Sequence, residues 1–152
     1  IHKLQQKGIL FMAASGREYT NLRNLFSPVA DDIAYLCLNG CLTFYKGECI
    51  SKEVMDAELA RKLITTIQND SDAEVLVSGE KTCYIMPKNQ SYYEHLTNTV
   101  KNHITIVDDL LNIPEPYTKI SAYFKDGANK HYQHYADVFD IDILYRLVVN
   151  VG

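Results

Sequence analysis

No stretch of this chain holds the roughly 20 consecutive apolar residues that a bilayer-spanning helix requires. Its opening, Ile1-His2-Lys3-Leu4-Gln5-Gln6, also lacks the apolar segment of a secretory signal. The expectation is a cytoplasmic protein that does not engage a membrane. Positive charge is equally scarce: 15 Lys and Arg against 19 Asp and Glu leave a formal charge of -4. That is no footprint for gripping a phosphodiester backbone, so nucleic acid is excluded as the expected partner. Four cysteines, Cys37, Cys41, Cys49 and Cys83, lack the paired C-x-x-C spacing of zinc sites and sit among apolar neighbours. They read as reduced, mostly buried thiols. Internal repeats, low-complexity segments and flexible linkers are missing too.

What is present is ordinary folding material. An apolar fraction of 47% over 152 residues is enough for one substantial core or two small ones. Residues 1–8 resemble the last turns of a helix with Gly8 just past its end, and the expectation is a chain that starts inside a fold. The uninterrupted apolar run over 9–14 predicts a strand buried on both faces of a parallel sheet. Tyr19, Leu22 and Phe26 recur at helical spacing before Ser27-Pro28, and a second apolar run over 33–38 stops at Asn39-Gly40. Strand, helix, strand is the grammar of a right-handed parallel crossover.

Beyond Gly40 the pattern changes. Lys46-Gly47 marks a hairpin, 57–67 an amphipathic helix, and Gly79 a second hairpin between 74–78 and 81–86. Helix is predicted over 92–100 and 129–138, and strands over 104–107, 119–124 and 143–151. From about residue 54 this reads as turn-paired strands with helices on one side. The fold class is therefore α/β: a partial Rossmann-like parallel core over 1–54, followed over 55–152 by an α+β unit with a mainly antiparallel sheet.

Ser15-Gly16-Arg17 interrupts this apolar logic at one point. In an open parallel sheet, ligands bind beyond the carboxyl ends of the strands. There a hydroxyl donates to an anionic oxygen, a glycine lets the backbone approach, and a guanidinium adds charge. The triplet therefore suits phosphate. The alternative is that Ser15 caps the following helix while Arg17 is solvated.

The wider order of segments bears on that choice. "GILFMAASGREYTNLRNLF", "DDIAYLCLNGCLTFYKGECI", "EVLVSGEKTCYIMPK" and "EPYTKISAYF", in this succession, resemble the Cof-type phosphatases of the haloacid dehalogenase superfamily. Such a resemblance implies a core carrying a large α/β cap inserted after its third strand. It implies that Ser15 binds the transferring phosphoryl group, completed by Gly16 and Arg17, and that Asn39 and Gly40 form a loop near the substrate entrance. It further implies an aspartate nucleophile and an aspartate acid/base on the first core strand, Mg2+ beside them, and a lysine after the cap. No catalytic residue of that kind lies in this chain. Asp31-Asp32 opens a strand instead of closing one, Asp140-x-Asp142 precedes one, and Lys119 falls in a cap strand; Leu38 stands where the family often has glutamate. The core expected here thus lacks its first strand, and the nucleophile, catalytic lysine and Mg2+ ligands are expected outside these residues. The implied activity is Mg2+-dependent hydrolysis of small phosphorylated metabolites through an aspartyl-phosphate, with this chain alone inactive. The competing reading is a catalytically inactive binding or interaction module derived from the cap.

Two other constellations stand out in the sequence. His131-x-x-His134 with Asp137 could face a metal from one helix, but exposed polar residues on a surface helix explain the same letters. The eleven tyrosines lack basic interleaving and are expected to cover core edges or line a cap surface. Segments 78–81 and 86–89 are candidates for facing the site.

Overall fold

The computed structural model describes residues 1–138. The closing strand expected over 143–151, with Asp140 and Asp142 before it, lies outside the described residues. Two four-stranded sheets make up the rest.

The first begins after a short helix, α1 (His2–Gln5), which ends toward Gly8 at φ 74°. β1 (Met12–Ala14), α2 (Tyr19–Leu25) and β2 (Ala34–Cys37) form the parallel crossover, with Ala13 opposite Tyr35. β3 (Leu42–Tyr45) and β4 (Glu48–Lys52) extend the sheet antiparallel in the order β1-β2-β3-β4. Their turn places Lys46 at φ 50° and Gly47 at φ 84°, the two left-handed positions whose twist suits a tight hairpin. Tyr35 anchors the core beneath: Tyr19 meets it edge-on and stacks on Phe44 with ring centroids 3.8 Å apart.

The apolar run over 9–14 corrects one expectation. Only three of its residues are strand, and burial alternates, with Ala13 6% exposed and Met12 44% exposed. β1 is the edge of the described sheet; Phe11 and Ala13 pack into the core with Leu22, and Leu10, Met12 and Ala14 point the other way.

The second sheet follows a linker tied to both units. The Glu53 amide donates to Cys41 O at 2.8 Å and the Met55 amide to Tyr117 O at 2.7 Å. α3 (Ala57–Gln68) starts where the Asp56 carboxylate accepts the Leu59 amide at 2.9 Å. β5 (Ala73–Ser78) and β6 (Cys83–Ile85) form the second hairpin. α4 (Gln90–Glu94) runs into a π-helical turn over His95–Val100, closed by Lys101 at φ 62°. β7 (Ile104–Ile106), β8 (Lys119–Phe124) and α5 (Tyr132–Val138) complete the described chain. The strand order is β7-β6-β5-β8; only β6 and β7 run parallel.

Helices cover both faces of this sheet, where one covered face was expected. Val75 and Val77 of β5 pack with Ile64 and Ile67 of α3 and Tyr135 of α5. Leu76 packs on the opposite side with Ile85, Tyr92 and Leu96. A strand apolar at three successive positions exposes apolar surface whichever way it turns, so both faces need a cover.

Among the described residues no helix is long and apolar enough to cross a membrane. The cysteines are free, with Cys37 and Cys83 buried; burial pushes the Cys37 thiol up to about 12 and the Cys83 thiol up to about 11. A thiol-disulfide reagent applied to the native protein near pH 8 is therefore expected to leave both unmodified until denaturant is added. Ile64 is fully buried at the centre of the second core. Ile64→Ala is expected to cost about 2–5 kcal/mol, read as a lower urea midpoint, because the vacated space cannot fully collapse.

Candidate functional site

The loops that leave β1 and β2 at their carboxyl ends are zipped together by backbone hydrogen bonds. The Ser15 amide donates to Leu36 O at 2.9 Å, the Asn39 amide to Ser15 O at 3.2 Å, and the Leu38 amide to Arg17 O at 3.0 Å. Leu38, Asn39 and Gly40 adopt φ values of 50°, 62° and 103° in succession. Left-handed backbone is costly for leucine, by about 1–2 kcal/mol. The buried Leu38 side chain and the two amide bonds hold it there.

The result is a cleft of about 220 Å³ lined by Ala14, Ser15, Gly16, Leu36, Asn39 and Gly40. Four of the five residues singled out from sequence, Ser15, Gly16, Asn39 and Gly40, thus meet in one place. Gly16 leaves room for the Asn39 carboxamide: a Cβ on it would stand 2.6 Å from Asn39 Oδ1.

The helix-cap alternative for Ser15 does not hold. Glu18 caps α2, its carboxylate accepting the Thr20 amide at 2.9 Å and the Asn21 amide at 2.7 Å. Ser15 Oγ instead accepts the Arg17 amide at 3.3 Å, a local turn that leaves the hydroxyl proton available. Arg17 departs from its expected place. Its guanidinium donates to Asn21 Oδ1 at 2.9 Å, one helical turn away, and it does not line the cleft.

Two residues outside the motif reading, and one set aside there as a cap-strand lysine, adjoin the site. Glu18 caps the helix, and buried Asn21 receives Arg17 while its Nδ2 donates to Val100 O and, at 3.2 Å, to Asn102 Oδ1 of the second sheet unit. Lys119, the first residue of β8, reaches across to the cleft: its ammonium donates to Asn39 Oδ1 at 3.1 Å and to Gly16 O at 3.4 Å. Burial holds that ammonium below the usual lysine range. Lys119 does not itself line the cleft, but its ammonium bonds two residues that do, Gly16 and Asn39, from 80 residues beyond the latter.

Other positions fall elsewhere. Glu80 of segment 78–81 pairs with Lys52 at 2.6 Å, whereas the Lys88 and Asn89 amides of segment 86–89 bind Glu74 and tie that segment to its own sheet. Asp31 pairs with Arg23 at 2.7 Å. His131 precedes α5, stacks on Phe124 and bonds Asp126, while His134 lies edge-on to Tyr135. Among the described residues no cluster of three or more His, Cys, Asp or Glu is arranged to hold a metal ion. A larger hollow of about 430 Å³ beside the linker includes Met55, Leu111, Ile113 and Pro116 in its lining. Its carboxylate, Glu115, is already engaged by the Glu80 and Lys81 amides and the Tyr84 hydroxyl.

Comparison with known proteins agrees with this architecture. The family model for haloacid dehalogenase-like hydrolases matches residues 1–145, and the chain belongs to that family. A curated relative, the 5-amino-6-(5-phospho-D-ribitylamino)uracil phosphatase YbjI of Escherichia coli (strain K12), is 24% identical over 131 residues, covering 84% of this chain and 45% of the relative. Among solved structures, a protein from Eubacterium rectale superposes with a TM-score of 0.79 at 16% identity over 92% of this chain and 54% of its own. The subclass IIB sugar phosphatase BT4131 does so with a TM-score of 0.67 at 16% identity, over 90% and 52%. At these identities the structures establish the fold, and the chain spans about half the length of its relatives.

Gly16→Ala is expected to leave stability within about 1 kcal/mol, since the atom in the way ends a flexible side chain. The Asn39 carboxamide should turn aside, visible as a displacement of its side-chain NH2 resonances in a 1H–15N spectrum.

Proposed function

We propose that this chain supplies the phosphate-gripping loop and the cap of a Mg2+-dependent phosphatase acting on small phosphorylated metabolites. On this reading residues 1–54 are part of the catalytic core and residues 55–152 the cap. The observation that carries it is the convergence of Ser15, Gly16, Asn39 and Gly40 on one cleft at the carboxyl ends of parallel strands, in a chain of this hydrolase family. The Ser15 hydroxyl donates to an oxygen of the phosphoryl group, and Gly16 admits that group close to the backbone. Arg17, held by Asn21, braces the loop and the contact of α2 with the second unit.

Phosphoryl transfer also needs an in-line nucleophile and charge around the equatorial oxygens. The described residues offer neither a free carboxylate in the cleft nor a metal-holding cluster. No metal step is assigned to this chain. The aspartate that would form an aspartyl-phosphate, the catalytic lysine and the Mg2+ ligands belong, on this proposal, to the remainder of the protein. The substrate class follows the names of the relatives, one a phosphoribityl-compound phosphatase and one a sugar phosphatase.

Phosphate release from a panel of sugar and nucleoside monophosphates, measured on the full gene product with and without Mg2+, tests the reading. Mg2+-dependent turnover is expected, lowered about tenfold or more by Ser15→Ala, with none from the 152-residue chain alone. A full gene product that stays inactive across the panel while folded would leave the binding-module reading in its place.

A further inference from the structure

Lys119 is a half-buried cation whose two hydrogen-bond acceptors, Asn39 Oδ1 and Gly16 O, are both neutral. Among the described residues no carboxylate forms an ion pair with it; the ion pairs there join Arg23 to Asp31, Lys52 to Glu80, and Lys130 and His131 to Asp126. Taking an ammonium partly out of water without an anionic partner is unfavourable, and an anion in the adjoining cleft would relieve that cost.

The position is built to last. Lys119 opens a strand whose register on β5 sets it opposite Ser78. The preceding Thr118 locks that end: its amide donates to Ser78 O at 2.9 Å, and its hydroxyl bonds Ser78 O at 2.6 Å and Gly79 O at 3.2 Å. The stem of the lysine therefore rises from a rigid sheet instead of a loop. A second contact, Asn21 with Val100 and Asn102, seats the same unit on α2. With the strand end locked and the unit seated on α2, the ammonium lies within hydrogen-bond reach of Gly16 O.

We propose that Lys119 is a substrate-contacting residue of the Ser15 cleft. Its ammonium exchanges the oxygens of Asn39 and Gly16 for an oxygen of the bound phosphoryl group, so that anion binding and the seating of the second unit on the first are coupled. No covalent bond is made or broken. Only hydrogen-bond partners change, and the lysine stays protonated. The inference rests on the phosphate reading of the cleft. Its rival is a lysine that merely ties the two units together and never meets the ligand.

Inorganic phosphate, titrated into the full gene product and followed by calorimetry, separates these. Ser15→Ala, Lys119→Met and Lys119→Arg are compared with the wild type. Ser15→Ala is expected to weaken binding several-fold, Lys119→Met about tenfold and Lys119→Arg about threefold or less, as loss or retention of a charge-assisted bond implies. A measurement on the wild type covers the event that a variant fails to fold: phosphate should slow acetylation of Lys119 about threefold, read by mass spectrometry against exposed Lys62. Phosphate binding that is absent, or indifferent to Ser15→Ala, overturns the reading of the cleft and this inference with it. Binding that depends on Ser15 but is unchanged in Lys119→Met, or leaves the Lys119 acetylation rate where it was, overturns the inference alone.

Discussion

The parallel pairing of β1 with β2 is the constraint on which the site depends. It brings two chain exits to the same edge of one sheet, and three backbone hydrogen bonds between residues 15–17 and 36–39 then fasten those exits together. An antiparallel pair would send one of them to the opposite end. The strained run at Leu38, Asn39 and Gly40 exists because the chain must leave β2, pass over Gly16 and enter β3 within a few residues. The buried Leu38 side chain pins this detour to the core, which converts backbone strain into a fixed path for the Asn39 backbone over Gly16.

The two sheets are joined economically. Between residues 53 and 55 the linker makes one backbone hydrogen bond to each unit, and among the described residues the other polar contacts across the divide are Asn21 with Val100 and Asn102, Lys52 with Glu80, and Lys119 with Gly16 and Asn39. Each unit has an apolar cluster of its own, one around Tyr35 and one around Ile64. Cohesion within each unit thus comes from buried apolar surface, and registration between them from a few polar bonds. Such bonds are directional and individually modest, so a group bound at the seam can compete with them.

How much of this was legible in the sequence depended on range. Lys119–Phe124 was bounded correctly because its alternation is local, and the turn at Lys46-Gly47 because a hairpin demands left-handed residues there. The run over 9–14 misled because continuous apolar residues look alike in a fully buried strand and in an edge strand with one open face. At the motif, Ser15 and Glu18 were both able to cap α2, and the charged acceptor took the amides. Arg17 is drawn aside by Asn21, four residues on, a polar partner that competes with an anion for the guanidinium. Lys119 was the least legible, since nothing local ties it to a loop 103 residues earlier.

That last separation carries the functional consequence. On the proposed reading, a site whose floor and roof come from different units ties ligand capture to their mutual placement. An oxygen bound beneath Lys119 replaces the direct bonds of the ammonium to Gly16 and Asn39 with one made through the ligand, and a seam already formed presents the ammonium in place. The floor is made of backbone and small residues, Ser15 and Gly16 among them, and on the same reading it takes the phosphoryl group alone. Discrimination among phosphate esters then falls to side chains of the second unit, whose strands can vary without disturbing the β1–β2 exits. Because Lys119 is fixed by sheet register, a change in β8 that moved it by one residue would turn the side chain to the other face and empty the roof.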